Sequence, residues 1–126
     1  YQTINLFQLI IELLPERKLL DTALDMQANK GDAALLASLR SVLKEDRLAE
    51  RMTRQLDVAN LDLLIVNGVG AAYPMLRTHT LLSALHPYMR STPLLMFYPG
   101  RYDGQSLSLF GTLSENNYYR AFQLVT

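Results

Sequence analysis

Cysteine is absent from the 126-residue chain. That removes disulfides, zinc ribbons, iron–sulfur sites and thiol catalysis together, and it fits a reducing compartment. An excess of either charge is absent too: 12 basic and 12 acidic residues give a formal net charge of zero, with the signs interspersed. There is thus no basic field of the kind that drives non-specific DNA binding, and DNA contact is expected only within a larger assembly. No apolar run approaches the roughly 18–20 residues that span a bilayer, so no membrane partner is expected. No stretch combines charge, apolar run and small-residue cleavage site as a signal peptide does. Internal repeats and low-complexity segments are missing as well. What is there is 49% hydrophobic. At this length one α/β domain over 1–126 is expected, burying about two-thirds of its unfolded surface and residing in the cytoplasm.

The first half reads as helix. Leu6, Leu9, Ile10, Leu13 and Leu14 keep the spacing of one helical stripe. Asn5 is placed to cap that helix, and Tyr1-Gln2-Thr3-Ile4 alternates before it like the end of a strand. Because Tyr1 enters patterned sequence at once without an initiator methionine, the expectation is an N-terminally incomplete fold, with a strand of it lying outside the chain. Pro15 should end the first run and seat in the first turn of the next helix, 16–26. Asn29-Lys30-Gly31-Asp32 is a break, with Asp32 the expected N-cap of a third helix, 33–43. A fourth, 45–59, carries Leu48, Met52 and Leu56 at intervals of four and is otherwise charged. It should lie half in water, laced by spaced opposite charges.

The second half changes period. Leu61-Asp62-Leu63-Leu64-Ile65-Val66 is a short apolar run of the kind buried on both faces of a parallel sheet. Asn67-Gly68-Val69-Gly70 closes it, Pro74 is expected early in a helix over 75–89, and 92–98 reads as a second buried strand. Residues 101–105 read as a turn-rich loop, 106–110 as a half-exposed strand, 114–117 as another turn, and 118–125 as a last strand or a short helix. Strand, helix, strand over 62–98 is a βαβ unit, closing right-handed. The fold class is therefore α/β: a mixed, mainly parallel sheet flanked by helices, with a C-terminal hairpin.

Few residues argue for chemistry. His79 and His86 are seven apart on one predicted helix, which separates them by about 10 Å along its axis and rules out one metal between them. Gly68 and Gly70 at a strand-to-helix turn resemble a phosphate-binding corner. The lysine and hydroxyl of G-x-x-x-x-G-K-[ST] are missing, as is the third glycine of G-x-G-x-x-G, so a tight structural turn built on Gly68, Gly70 and Pro74 is the stronger reading. A degenerate nucleotide-binding domain is the alternative. Arg77 and His79 point about 200° apart and do not face one target together. No serine–histidine–acid grouping, G-x-S-x-G or distinctive carboxylate pair appears, so neither an enzyme nor a cofactor is expected.

Interfaces are better supplied. Pro99-Gly100-Arg101-Tyr102-Asp103-Gly104 follows the end of a buried strand, and Asn116-Asn117-Tyr118-Tyr119-Arg120-Ala121-Phe122 is a second aromatic–arginine cluster. Tyrosine and arginine are the residues protein interfaces use as anchors. The interface candidates are Pro99, Gly100, Arg101, Tyr102, Tyr118, Tyr119 and Arg120, with Arg77 and His79 beside them.

These blocks also occur in a known order. Val66-Asn67-Gly68-Val69-Gly70, Tyr73-Pro74 with Arg77 and His79, Phe97-Tyr98-Pro99-Gly100, Ser106-Leu107-Ser108-Leu109-Phe110-Gly111 and Asn117-Tyr118-Tyr119-Arg120-Ala121-Phe122 together resemble the BrxB family. Its members are small accessory proteins of BREX bacteriophage-exclusion systems. The resemblance covers about half the chain in ordered blocks, and the helical first half is similar in pattern only. It implies a cytoplasmic defence component without catalytic activity of its own. The partner implied first is the alkaline-phosphatase-like protein PglZ. An adenine methyltransferase and an AAA-type ATPase of the same system follow, and a homodimer stays open.

Overall fold

A computed structural model of the chain describes residues 1–16, 20–114 and 121–125. Strand β1, Gln2–Asn5, passes directly into helix α1, Leu6–Glu16. The Asn5 side chain makes the junction: its Oδ1 accepts the backbone N–H of Gln8 at 3.0 Å, the expected N-cap bond. Helix α1 does not stop before Pro15 but includes it one residue from its end. There a proline removes a single backbone hydrogen bond, which the last turn tolerates.

Helices α2, Leu20–Lys30, and α3, Asp32–Val42, are joined by Gly31 alone. A one-residue link needs a left-handed backbone, and Gly31 supplies it at φ +83. Gly31 thereby takes the N-cap place expected of Asp32, whose carboxylate instead accepts from Gln27 Nε2 at 3.1 Å. Helix α4, Glu45–Leu56, turns Leu48, Ala49 and Met52 into the core and its charges outward. Asp57 at φ 44 ends it, so the last residues expected in this helix form a separate 3₁₀ turn, Val58–Asn60.

Strand β2, Leu64–Asn67, leads through Gly68 into the four-residue helix α5, Val69–Ala72. Tyr73 is extended (φ −72, ψ 140), as a residue before proline favours, and it closes α5. Pro74, joined to it by a cis bond, therefore sits in the turn between helices and not in an early helical position. Helix α6 begins later than the periodicity suggests, at Thr78–Met89, and strand β3 is Leu94–Met96. The buried Thr92 hydroxyl donates to the Val58 carbonyl at 2.8 Å and ties the start of β3 to the 3₁₀ turn.

The strands divide between two sheets. β1, β2 and β3 lie side by side in chain order, all parallel. β4, Gly100–Tyr102, pairs antiparallel with β5, Leu107–Leu109, which pairs with β6, Leu113–Ser114. Residues 100–102 are thus strand where a loop was expected from 101. Gly100 follows a tight bend at Pro99, its N–H donating to the Tyr98 carbonyl at 3.0 Å, and a side chain there would collide with the Ser108 carbonyl, so glycine is what lets β4 reach β5. The turn expected at 114–117 lies mostly outside the described residues, as does part of the last element. Its described part, 121–125, is neither strand nor helix.

The register sets Ile4, Leu64, Val66, Leu94 and Met96 on one face of the parallel sheet, and all belong to the core or pack against it. Fully buried Leu6, Ile10, Leu48, Met52, Leu81 and Leu85 meet them from α1, α4 and α6. The alternate positions, Thr3, Ile65 and Leu95, point to the other face and are exposed or half-buried. Among the described residues no helix is long and apolar enough to cross a membrane.

Candidate functional site

The end of β3 leads through a bend at Pro99 into the second sheet, and this junction gathers four of the nine interface candidates, Pro99, Gly100, Arg101 and Tyr102. Phe97 extends the parallel ladder, its N–H donating to the Val66 carbonyl at 2.9 Å. Pro99 follows, and its carbonyl accepts the N–H of Phe110 at 2.8 Å, which brings the far end of β5 back beside it. Phe110 and Gly111 are both left-handed, at φ 54 and φ 72, the backbone that a tight hairpin demands. Pro99, Gly100 and Arg101 thus face Phe110, Gly111 and Thr112 across an open groove of about 500 Å³.

The opposite end of the hairpin is fixed by Asp103. Its Oδ1 accepts the N–H groups of Ser106 at 2.7 Å and Gln105 at 2.8 Å, while Oδ2 accepts the Ser106 hydroxyl at 2.9 Å. The Ser106 and Gln105 amides, and then the Ser106 hydroxyl, hold its carboxyl below the ordinary aspartate range. Tyr102 is half-buried, with its hydroxyl within reach of the carbonyls of Gly104 (2.9 Å) and Ala121 (3.2 Å). Its polar end therefore ties the turn to the 121–125 segment. Arg101, by contrast, is exposed.

Two exposed aromatics complete the surface. Phe97 is 62% exposed and Phe110 is 55% exposed. Sequence reasoning passed over both by counting them as strand residues. A signal was present for Phe110: in Ser106-Leu107-Ser108-Leu109-Phe110 it falls in phase with the serines, while Leu109 is the residue that is buried.

The remaining candidates are placed elsewhere or lie beyond description. Arg77, exposed, is the N-cap residue of α6, and its carbonyl accepts from Leu81 N, with Thr80 Oγ1 within 2.9 Å. His79 is half-buried in the first turn of that helix, and His86 is exposed near its end. Among the described residues no three histidine, aspartate or glutamate side chains gather to hold a metal. Tyr118, Tyr119 and Arg120 lie outside the described residues.

The glycine corner is filled by protein. Gly68 adopts φ +73, and a side chain on it would run into the Asn5 carboxamide, the same group that caps α1. A Cβ on Gly70 would lie 2.9 Å from Pro99 Cγ and 3.3 Å from the Phe110 ring. Both glycines thus serve close packing, with Asn5, Pro99 and Phe110 lying where their side chains would project.

With this geometry in hand, comparison with known proteins is decisive on family. The family model described as "BREX protein BrxB" matches residues 2–124. The chain belongs to the BrxB family. It is 40% identical over 125 residues to the BREX protein BrxB of Escherichia coli, an alignment covering 99% of this chain and 62% of that protein. To the BREX protein BrxB of Bacillus cereus it is 38% identical over 125 residues, covering 96% of this chain and 64% of the relative. The chain thus spans just under two-thirds of the length of the curated BrxB proteins it matches. No solved structure matches it. The resemblance read from ordered motifs is borne out, and the match reaches through the helical first half as well. In this BrxB chain the motif blocks with positions in the described structure fall at β2–α5, at the α5–α6 turn and along β3–β5.

Proposed function

We propose that the chain acts as a non-catalytic scaffold or adaptor within a BREX phage-defence assembly, docking a PglZ-like protein through the groove between β4 and the β5–β6 turn. The observation that carries this reading is that exposed Arg101 and Phe110 line a groove of about 500 Å³ together with Pro99 and Thr112. Arginine and aromatic side chains on a rigid support are the usual energetic centres of protein interfaces. The support is rigid because Asp103 closes one end of the hairpin and the Pro99–Phe110 backbone bond closes the other. Family membership supports the choice of a BREX protein as partner.

The test is affinity recovery of the tagged protein from cells carrying its whole gene neighbourhood, read by mass spectrometry, for the wild type and for Arg101→Glu with Phe110→Ser. Stoichiometric recovery of a PglZ-like subunit with the wild type, and its loss with the double variant, is the expected result. Tyr102→Phe serves as a control, because it removes the hydroxyl that braces the turn and leaves the exposed groove residues in place. Equal recovery with the double variant would move the docking surface away from β4–β6.

A further inference from the structure

A second concavity lies well apart in sequence from the β4–β6 groove and shares no residue with it. It is a cleft of about 510 Å³ between the C-terminal half of α1, the end of α3 and one side of α4. The floor is aliphatic: Leu14, Leu43 and Leu48 are buried, while Leu13 and Val42 are half-buried and offer carbon surface to solvent. The rim is basic. Among the described residues, Lys44, Arg47, Arg51 and Arg54 line it with the carboxylate Glu50, which is paired with Arg54. In a chain of zero net charge this is a local concentration of cations.

The helical period produces the arrangement. Positions 47, 51 and 54 are four and three apart and so stand on one side of α4, while Leu48 and Met52 turn toward the core. An aliphatic floor beneath a cationic rim complements a segment that flanks an aliphatic side chain with carboxylates, in the manner of a peptide laid into a groove. Duplex DNA matches it poorly, since a phosphate backbone has nothing apolar to set on Leu13 and Val42.

We propose that this cleft docks an acidic segment of a partner protein, seating an aliphatic side chain on Leu13 and Val42 and its carboxylates against Lys44 and Arg47. The site is independent of the β4–β6 reading, so either can fail alone.

Fluorescence anisotropy of the 126-residue chain with three labelled probes tests it: a helical peptide of glutamates with leucines on one side, the same peptide with serine for leucine, and a DNA duplex. The glutamate–leucine peptide should bind saturably, and the serine version about tenfold more weakly. Lys44→Glu with Arg47→Glu should weaken the first peptide by about tenfold or more. Both residues are exposed at the start of α4, where negative charge suits the helix dipole, so the variant keeps its fold and circular dichroism can verify it. The proposal is overturned if the leucine peptide shows no saturation, if the serine peptide binds equally well, if the double variant binds unchanged, or if DNA binds more tightly than the peptide.

Discussion

At Gly70 one added carbon would press on Pro99 and on the Phe110 ring, the two side chains that form the back of the β4–β6 groove. Both are exposed on their far side and have room to yield. Gly70→Ala should therefore cost about 1–3 kcal/mol, the range for modest overpacking, and displace Phe110. Urea titration measures the cost; an unchanged midpoint would mean that the contact does not hold the groove wall. Asp103 gives a second prediction with a definite sign. Its hydrogen bonds favour the charged form and depress the folded-state pKa, so their contribution is complete above the ordinary aspartate range. It is lost as pH falls through the lowered folded value. Amide exchange at Gln105 and Ser106 should accelerate, relative to the intrinsic rate, on acidification through that window. In Asp103→Asn the same amides should show no such transition, and a transition that persisted would assign it to another group. The exposed Asp103 is where residue-level chemistry was legible in part: a turn was expected there, while its placement between two paired strands was not.

Elements differ in how firmly they are held. α4 and α6 bury Leu48, Ala49 and Met52 against Leu81, Leu85 and Met89, and Thr80 Oγ1 donates to Glu45 Oε1 at 2.8 Å between them. The α2–α3 pair is held less: α3 has no buried residue, Leu24 of α2 is 56% exposed, and the two helices pack chiefly on each other. Arg40 spans from α3 to the Pro74 carbonyl, at 3.1 Å from Nε and 3.0 Å from Nη2. Native-state hydrogen exchange should find α2 and α3 opening at lower free energy than α4 and α6. Arg40→Ala should lower that local opening energy by about 1 kcal/mol, with little change in α4. Equal protection in both pairs would refute the division. The helices were legible because their leucines repeat at 3–4 residues, a signal summed over three turns. Their ends were not, since each depends on one local contest. Pro15 is tolerated in a last turn, Gly31 displaces Asp32 as cap, and Tyr73 ahead of Pro74 stops α5 before α6 starts. β4 was missed because Pro99-Gly100 has the composition of a terminator, while Gly100 is required by the closeness of Ser108 on the neighbouring strand. That neighbour, not the local sequence, decides the strand.

The whole molecule has one well-filled side. Because β1, β2 and β3 follow one another in order, right-handed crossovers place the intervening helices on the same face of the sheet. Leu64 and Val66 are fully buried on that face, while Ile65, Leu95 and the exposed Phe97 alternate onto the other. The apolar run at 61–66 identified the strand, but a run apolar at nearly every position carries no period to say that one face is filled better than the other. The energetic consequence is an asymmetry between neighbouring positions. Leu64→Ala removes a side chain enclosed by helices and should cost about 2–5 kcal/mol, transfer and cavity terms together. Leu95→Ala, one strand over on the alternate face, opens no enclosed cavity and forfeits only the transfer of a partly exposed side chain, about 1 kcal/mol. Urea unfolding of the two variants under identical conditions decides the matter. A Leu95→Ala cost equal to that of Leu64→Ala would mean that the alternate face is as tightly covered as the core, and the sidedness argued from register and burial would be wrong.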